Sequence, residues 1–185
     1  MTHHPKTSDD FITRANRIKL IVLDVDGVMT DGVIAFDDNG HEHKHFHVRD
    51  GSAIAGWLRS GRLIAILSGR YARCVEHRAK DLKIPIVIQG NPRKINGLLG
   101  ILQQTGLSLD QTCFMGDDLP DLPLFHMVGL AASPADGVEE IQAKAHFVSQ
   151  YRGGHGAVHD LVSHLMKTQG IWSDHVQWYE SQEHS

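Results

Sequence analysis

The stretch from residue 20 to residue 32 constrains the fold more than any other part of this sequence. An uninterrupted apolar run, LIVL at 20–23, leads directly into DVDGVMTDG at 24–32. A run without polar residues is typical of a strand buried on both faces, as in a parallel sheet. In open α/β folds, ligands bind at the carboxyl edge of that sheet. We therefore expect Asp24 and Asp26 to lie at a binding site.

The two carboxylates of this stretch are spaced for phosphate chemistry. Asp24 can act as a nucleophile toward phosphorus, because aspartyl-phosphate is a known covalent intermediate. Asp26 can protonate the leaving oxygen and later deprotonate the attacking water. Carboxylates this close repel each other, and a bound Mg²⁺, which prefers oxygen ligands, relieves that repulsion. Aspartate and glycine are also ordinary turn residues, so the stretch by itself leaves a simple turn open.

Two later segments carry groups that suit a phosphate. Ser68-Gly69 follows the apolar run at 63–67, and a hydroxyl together with the N–H groups of a helix start can donate to a phosphate oxygen. Asn91-Pro92 predicts a helix start, which puts Lys94 in the first turn of that helix. Cations are disfavoured at a helix N-terminus. We therefore expect the Lys94 ammonium to have an anionic partner.

A second acidic cluster follows the short apolar segment at 112–115. The sequence GDDLPD at 116–121 comes directly after it. Asp117 can supply a further metal ligand, and Asp121 can support the site by hydrogen bonds from outside the ligand set. An N-capped helix start explains one such cluster, but it explains two acidic strand ends poorly.

Composition narrows the class of protein. The chain has 185 residues, a net charge of −4 and no basic cluster, which argues against a nucleic-acid surface. Its two cysteines, Cys74 and Cys113, predict reduced thiols rather than a disulfide framework. No signal peptide is recognisable, and no apolar run has the length of a membrane span. We expect a cytoplasmic protein without a nucleic-acid or membrane partner.

Apolar segments alternate with helical patterns along the chain. Strands are expected at about 19–24, 63–67, 84–88, 112–115, 128–131 and 146–148, and helices at about 52–59, 71–82, 92–104, 136–144 and 157–168. This order is typical of an α/β fold with a doubly wound parallel sheet and helices on both faces. Asp50 and Asn91 are expected to cap two of these helices, the glycine-rich segment 153–156 to be a flexible turn, and residues 1–7 to be disordered.

A β-hairpin is expected after the first strand. Residues 33–36 and 42–48 favour strands, and Asn39-Gly40 is a strong turn signal. Four histidines, at 41, 43, 45 and 47, share one face because side chains alternate along a strand. Such a row can bind zinc, but no cysteine or paired carboxylate completes a site. A solvated or subunit-facing surface is the favoured interpretation.

Together these motifs resemble those of the haloacid dehalogenase superfamily of phosphotransferases. The matching segments are Asp24–Gly27, Ser68-Gly69, Lys94 and Gly116–Asp121, in the family's order and across most of the chain. A closer resemblance, to the capless KDO 8-phosphate phosphatase family, is carried by the segments 24–32, 46–51, 89–94, 116–121 and 153–158.

The resemblance implies a Rossmann-like hydrolase domain at 18–169, with an N-terminal extension at 1–17 and a C-terminal tail at 170–185. It implies a Mg²⁺-dependent phosphatase acting on KDO 8-phosphate in lipopolysaccharide biosynthesis. It also implies a homotetramer in which the 33–48 hairpins pack together and a neighbouring subunit covers each site. Independently, the short intervals between Asp24, Ser68 and Lys94 leave no room for a cap domain.

The resemblance also assigns roles to individual residues. It implies Asp24 and Asp26 as catalytic residues, and metal contacts from Asp24, the carbonyl oxygen of Asp26 and Asp117, with Asp118 and Asp121 in support. It implies phosphate contacts from Ser68, Gly69 and Lys94, and substrate contacts from Thr30, Arg49 and His155.

Other functions remain compatible with the sequence. Within the phosphatases, a nine-carbon sugar-acid phosphate of the sialic-acid type is an alternative substrate. Outside the enzymes, a phospho-receiver also places an aspartate, a hydroxyl and a lysine at strand ends, and a regulatory homologue can bind a sugar phosphate without turnover. The late acidic cluster at Asp117 and the acid–base position of Asp26 favour hydrolysis.

Overall fold

The computed structural model describes residues 9–181 and contains a central sheet with helices on both sides. In chain order the helices and strands are α1 (Asp9–Ala15), β1 (Leu20–Leu23), β2 (Ala35–Phe36), β3 (Glu42–His43), α2 (Val48–Arg59), β4 (Leu63–Leu67), α3 (Arg73–Asp81), β5 (Ile86–Ile88), α4 (Lys94–Thr105), β6 (Thr112–Met115), α5 (Leu122–Phe125), β7 (Leu130–Ser133), α6 (Glu139–Gln142), β8 (Phe147–Val148), α7 (Ala157–Thr168) and α8 (Trp172–Glu180). Short 3₁₀ turns at Leu109–Gln111 and Leu119–Asp121 flank β6.

The sheet has six strands in the order β5-β4-β1-β6-β7-β8, and every neighbouring pair is parallel. From β1 the chain first winds outward through β4 to β5, then crosses back to β6 and continues to β8. The winding direction therefore reverses between β1 and β6, where a crevice opens at the carboxyl ends of the strands. The predicted doubly wound α/β fold is confirmed.

Alternation along the buried strands divides the core into two layers. Ile21 and Leu23 of β1 pack on the side of α1, α2, α3 and α7, whereas Leu20 and Val22 pack on the side of α4, α5 and α6. All four side chains are fully buried. The apolar run at 20–23 is continuous because both faces of its strand are covered.

The predicted hairpin is present but short. Its antiparallel ladder joins only Ala35–Phe36 to Glu42–His43, because residues 44–47 leave the ladder to run toward α2. Between β1 and β4 the chain forms only this hairpin and α2, and between β4 and β5 it forms only α3. These fully described intervals contain no cap domain.

Two predicted helix caps are wrong. Helix α4 begins at Lys94, with Arg93 rather than Asn91 at the N-cap. Asp50 lies inside α2, which begins at Val48, and its Oδ1 accepts a hydrogen bond from the backbone N–H of His159 at 2.8 Å. A partner on a distant helix therefore determines the position of the Asp50 carboxylate.

The terminal helices pack against the main body of the fold. Phe11 of α1 is 2% exposed and belongs to the core. In α8, His175 is buried, and Arg59 of α2 lies 3.1 Å from its Nδ1 and 3.7 Å from the ring centroid of Trp178. The predicted domain boundaries at 17/18 and 169/170 stay predictions. The disorder expected for residues 1–7 lies outside the described residues.

None of the helices within residues 9–181 combines the length and apolarity that crossing a membrane requires.

Candidate active site

Most of the predicted site residues converge on one cleft of about 280 Å³ at the carboxyl edge of the sheet. It lies where the strand order reverses, since Asp24 follows β1 and Asp117 follows β6. Four segments line the cleft: the acidic loop after β1, the serine turn after β4, the start of α4 and the acidic turn after β6. The lining residues are Asp24, Asp26, Gly27, Gly32, Ser68, Gly69, Arg70, Lys94, Asp117, Asp118, Pro120 and Asp121.

Lys94 has the anionic partners that its position predicted. Its Nζ lies 2.9 Å from Asp24 Oδ2 and also contacts Asp121 Oδ1. Its side chain is only 5% exposed. Burial lowers the pKa of the Lys94 ammonium, but Asp24 and Asp121 together raise it above the ordinary value. The cation therefore stays charged beside the carboxylates.

The carboxylates around Lys94 are crowded and short of positive charge. Asp24, Asp117 and Asp121 each place one carboxylate oxygen within 4.8 Å of an oxygen from both of the others. Burial, with smaller contributions from Asp24, Asp121 and Asp118, raises the pKa of Asp117 to about 8. Burial also raises the pKa of Asp24 to about 6, although Lys94 opposes the shift. We call Asp24, Asp117, Asp121 and Lys94 the carboxylate cluster.

This donor set suits a hard dication. Three carboxylates face one ammonium, so the carboxylate cluster holds two excess negative charges when fully ionised, and Mg²⁺ prefers oxygen ligands. Both Asp121 oxygens are already engaged, Oδ1 by Lys94 and Oδ2 by the N–H of Asp117 at 3.0 Å. Asp24 and Asp117 are consequently the side chains best placed to bind the ion, with Asp121 holding them.

The backbone of the acidic loop lies directly over Asp117. A Cβ at Gly27 would come within 2.0 Å of Asp117 Oδ2, and Gly27 has a φ of +78°. Only glycine combines this left-handed conformation with such a close approach. Gly27 thereby allows the loops after β1 and β6 to meet.

The serine turn supplies groups that suit a phosphate. Ser68 is 3% exposed and its Oγ accepts a hydrogen bond from the N–H of Arg70 at 3.3 Å. Gly69 lies beside the Lys94 side chain, since a Cβ there would be 4.0 Å from Lys94 Cε. The serine hydroxyl, the glycine backbone and the lysine ammonium thus border the same part of the cleft.

Asp26 belongs to a second group of charges that sequence analysis did not identify. Its Oδ1 accepts a hydrogen bond from Lys44 Nζ, and its Oδ2 lies 3.8 Å from Arg70 Nε. Glu42 Oε1 lies 2.7 Å from Lys44 Nζ and 3.1 Å from Arg70 Nη2. Asp26, Lys44, Glu42 and Arg70 therefore close a ring of alternating charges, which we call the charge ring.

The charges of this ring stabilise one another. Burial lowers the pKa of Lys44, but hydrogen bonds to Asp26 and Glu42 raise it above the ordinary value. Burial raises the pKa of Glu42, but Lys44 and Arg70 together lower it below the ordinary value. A sequence signal for the ring did exist. The alternation that places the histidines on one side of the hairpin places Glu42 and Lys44 on the other.

The predicted substrate contacts fare differently. Thr30 is 1% exposed, and its hydroxyl donates to the carbonyl of Val25 at 3.2 Å. This hydrogen bond holds the loop, and a contact between Thr30 and substrate stays a prediction. Arg49 and His155 are exposed and do not line the cleft. Their roles stay predictions.

The glycine-rich segment is packed rather than flexible. A Cβ at Gly153 would lie 1.8 Å from the carbonyl oxygen of Gly27, and the N–H of Gly154 donates to the carbonyl of Val28 at 3.0 Å. The N–H of Gly153 donates to Asp136 Oδ1 at 2.9 Å. This turn therefore supports the acidic loop from behind.

The histidine row is on the surface, as expected. His41, His43 and His45 are exposed, and His41 Nδ1 lies 3.0 Å from Asp37 Oδ2. Hydrogen bonds from His41 lower the pKa of Asp37. Within residues 9–181, the one group of three potential ligand side chains close enough to share a metal is formed by Asp24, Asp117 and Asp121, and it includes none of the histidines in the row.

Known proteins are similar to this chain in sequence. Residues 87–161 match the family model for haloacid dehalogenase-like hydrolases. The chain is 37% identical over 169 residues to the 3-deoxy-D-manno-octulosonate 8-phosphate phosphatase of Escherichia coli K12, covering 91% of this chain and 90% of that protein.

Solved structures agree with the sequence match. The crystal structure of the Yersinia pestis phosphatase of the same name has a TM-score of 0.86 at 38% identity, covering 88% of each chain. The Moraxella catarrhalis phosphatase, crystallised with a magnesium ion, a phosphate ion and KDO, has a TM-score of 0.88 at 34% identity, covering 91% of this chain and 97% of that one. The chain belongs to the 3-deoxy-D-manno-octulosonate 8-phosphate phosphatase family of haloacid dehalogenase-like hydrolases.

Proposed function

We propose that this protein is a Mg²⁺-dependent phosphatase that converts 3-deoxy-D-manno-octulosonate 8-phosphate to KDO and phosphate, a step of lipopolysaccharide biosynthesis. The observation that carries the proposal is the carboxylate cluster, in which a buried aspartate at the end of β1 lies 2.9 Å from a buried lysine and close to a second, metal-suited carboxylate. The family to which the chain belongs acts on this sugar phosphate in Escherichia coli.

Asp24 is the nucleophile in the proposed reaction. One of its oxygens forms a bond to phosphorus as the bond from phosphorus to the sugar oxygen breaks, in line with the attack. Lys94 and Ser68 hold the other phosphoryl oxygens, together with the backbone at Gly69. Lys94 also orients Asp24, because its ammonium already lies 2.9 Å from Oδ2.

Asp26 is the acid and then the base. Its carboxyl proton passes to the departing sugar oxygen, and its carboxylate later takes a proton from the water that attacks the aspartyl-phosphate on Asp24. Hydrolysis releases phosphate and regenerates both side chains. Asp26 lines the cleft on the side of the hairpin.

A divalent ion fits this site, held by Asp24, Asp117 and the carbonyl oxygen of Asp26, with Asp118 and Asp121 in support. When bound, Mg²⁺ neutralises charge on the phosphoryl group and on the carboxylates. Asp121 keeps Asp117 oriented through the hydrogen bond from the Asp117 N–H.

Recognition of the sugar acid and the assembly form a second part of the proposal. Val33, Ile34, Phe36 and Val48 of the hairpin region are between 49% and 78% exposed, and exposed apolar patches of this kind mark protein contacts. We infer a homotetramer built on these hairpins. In such an assembly, a neighbouring subunit covers each cleft, and Arg49 and His155 come within reach of the carboxylate of the bound sugar. Cys74 and Cys113 are both free, which suits the reducing cytoplasm.

Phosphate release from a panel of sugar phosphates, with Mg²⁺ and with EDTA, tests the proposal. We expect Mg²⁺-dependent release that is fastest with KDO 8-phosphate. Fastest release from a nine-carbon, sialic-acid-type phosphate would keep the chemistry and overturn the substrate. Absence of release from every compound would overturn the phosphatase and favour a phospho-receiver or a sugar-phosphate-binding regulator.

A further inference from the structure

We propose that Lys44, on the hairpin, is a positioning residue for the acid–base chemistry of Asp26. The proposal rests on the proposed function and extends it to a part of the chain outside the catalytic loops. Lys44 touches the Asp26 carboxylate directly, although it follows a hairpin ladder that is only two residues long on each side. The contact is therefore specific to this side chain rather than a consequence of extensive packing.

The Lys44 side chain is fixed where it meets Asp26. It is 1% exposed, compared with 22% for Asp26. Glu42 Oε1 holds the same ammonium at 2.7 Å, and Arg70 Nη2 contacts both oxygens of Glu42, at 3.1 and 3.2 Å. A long lysine side chain loses considerable rotamer freedom on burial, and here two carboxylates compensate for that loss.

The charge ring joins three separate segments of the chain. Asp26 comes from the acidic loop, Glu42 and Lys44 from the hairpin, and Arg70 from the serine turn, two residues after Ser68. Within residues 9–181, the cationic contacts of the Asp26 carboxylate come from Lys44 and Arg70, and the Lys44 contact is the shorter. The orientation of Asp26 therefore depends mainly on Lys44.

Orientation matters because a general acid must lie within hydrogen-bond reach of the oxygen that it protonates. Asp26 follows a buried strand, but its side chain extends into the cleft toward the hairpin. A carboxylate without a fixed partner samples several rotamers. Lys44 restricts these rotamers and keeps one carboxylate oxygen directed along the path of the departing sugar oxygen.

The chemistry of the leaving group separates this role from a general structural one. A sugar alkoxide is a poor leaving group and needs the proton from Asp26. A p-nitrophenolate leaves without that proton. The ratio kcat/KM covers the steps up to the formation of aspartyl-phosphate, so it reports the acid role of Asp26 and excludes its later role as a base.

The experiment compares kcat/KM of the full-length wild-type chain and its K44M variant on two substrates, with Mg²⁺ present. One is the sugar phosphate that the wild type hydrolyses fastest, and the other is p-nitrophenyl phosphate. General acid catalysis contributes 10²–10⁴-fold, so misplacing the acid in K44M is expected to lower kcat/KM about 10- to 100-fold on the sugar phosphate. On p-nitrophenyl phosphate we expect a loss below about threefold, since the acid is not needed there.

Two further variants sharpen the comparison. E42Q removes the negative charge of the second partner of Lys44 and should produce the same substrate-dependent loss at a smaller size. K80M removes an exposed lysine from α3 and should leave kcat/KM unchanged on both substrates. Equal losses on both substrates in K44M, or no loss on either, would overturn the positioning role. If the wild type does not hydrolyse KDO 8-phosphate, only the proposed substrate is overturned. The test of Lys44 still holds, because it uses whichever sugar phosphate the wild type hydrolyses fastest.

Discussion

Two groups of charges meet at the end of β1 and differ in their balance. In the carboxylate cluster, Asp24, Asp117 and Asp121 share a single ammonium. In the charge ring, two carboxylates alternate with two cations. Asp24 and Asp26 are separated by one residue, yet they belong to different groups because their side chains leave the loop in different directions.

The difference in charge balance matches the proposed role of each group. Buried carboxylates without enough cations are costly, and this cost appears as the raised pKa of Asp117, to about 8, for which burial is the main cause. A site of this kind gains most from binding a dication and a phosphoryl group. The charge ring is neutral when both of its carboxylates are ionised, and it holds one acid–base group, Asp26, in place. Selective disruption of each group can separate these two roles.

The largest effect is expected for D24N, which removes the nucleophile from the carboxylate cluster. Turnover of the sugar phosphate should fall at least about 10⁴-fold, because no other described side chain of the cleft can replace the carboxylate attack. The fold should persist, since an amide carries no buried charge. Steady-state phosphate release and a thermal unfolding scan would check both outcomes. Residual activity within tenfold of the wild type would remove Asp24 from the mechanism.

The next effect is expected for D117N, which weakens the cluster's metal site. Replacing one of its carboxylates should reduce Mg²⁺ affinity at least about 100-fold. Isothermal titration calorimetry would measure the affinity, with D38N, on an exposed hairpin aspartate, as the matched control. Equal Mg²⁺ affinity in D117N and the wild type would place the ion elsewhere.

Both charge groups depend on the acidic loop, and Gly153 supports that loop. In G153A the new Cβ would lie 1.8 Å from the Gly27 carbonyl oxygen. The loop must shift, at an expected cost of about 2 kcal/mol in the free energy of unfolding and with lower kcat. The control is G100A, at an exposed helical position with open space around it, which should stabilise the chain by up to about 1 kcal/mol. Equal stability of the two variants would show that the turn does not constrain the loop.

The smallest effect concerns pH. Because the pKa of Asp117 is raised to about 8, the folded, metal-free protein carries a proton there below that pH, and Mg²⁺ must displace it. Mg²⁺ affinity should therefore rise with pH by up to tenfold per unit below pH 8, or about 1.4 kcal/mol. Correspondingly, Mg²⁺ should raise Tm more at pH 7.5 than at pH 6.5.

The same raised pKa predicts how stability changes without metal. The unfolded chain ionises Asp117 near the ordinary pKa of 3.8 and the folded chain near 8. Stability of the metal-free protein should thus decline as pH rises between these values. Thermal scans in EDTA would record this decline. A Tm shift by Mg²⁺ that is independent of pH would contradict the assignment of Asp117 as a ligand.

The strand ends were predictable from the sequence because they follow from local pattern and sheet geometry. Segments 112–115 and 157–168 have the predicted bounds. Carboxyl ends of parallel strands share one edge, so Asp24, Ser68 and Asp117 had to meet once the strands were recognised. Lys94 was correctly expected to have anionic partners, although its helix begins two residues later than predicted.

The charge ring was missed, and the glycine-rich turn was wrongly expected to be flexible, because long-range contacts define them. Lys44 meets Asp26 across 18 residues, and Gly153 meets Gly27 across more than 100. Similarly, Asp50 has the local signature of a helix cap, but the N–H of His159 is its partner. A strand was predicted at about 128–131, but β7 spans Leu130–Ser133, because Leu130 is the residue that pairs with Cys113 of β6. Such choices depend on packing that a single sequence pattern does not encode.

Trapping the covalent intermediate tests whether the unbalanced carboxylate cluster carries out phosphoryl transfer. D26N enzyme with Mg²⁺ and p-nitrophenyl phosphate lacks the base for hydrolysis but does not need the acid for transfer, so it should accumulate phosphoenzyme. After rapid acid quench and digestion, mass spectrometry should locate one phosphoryl group on Asp24, and EDTA should abolish it. Label on another side chain, or release of p-nitrophenol by D26N enzyme without any label on Asp24, would contradict the account.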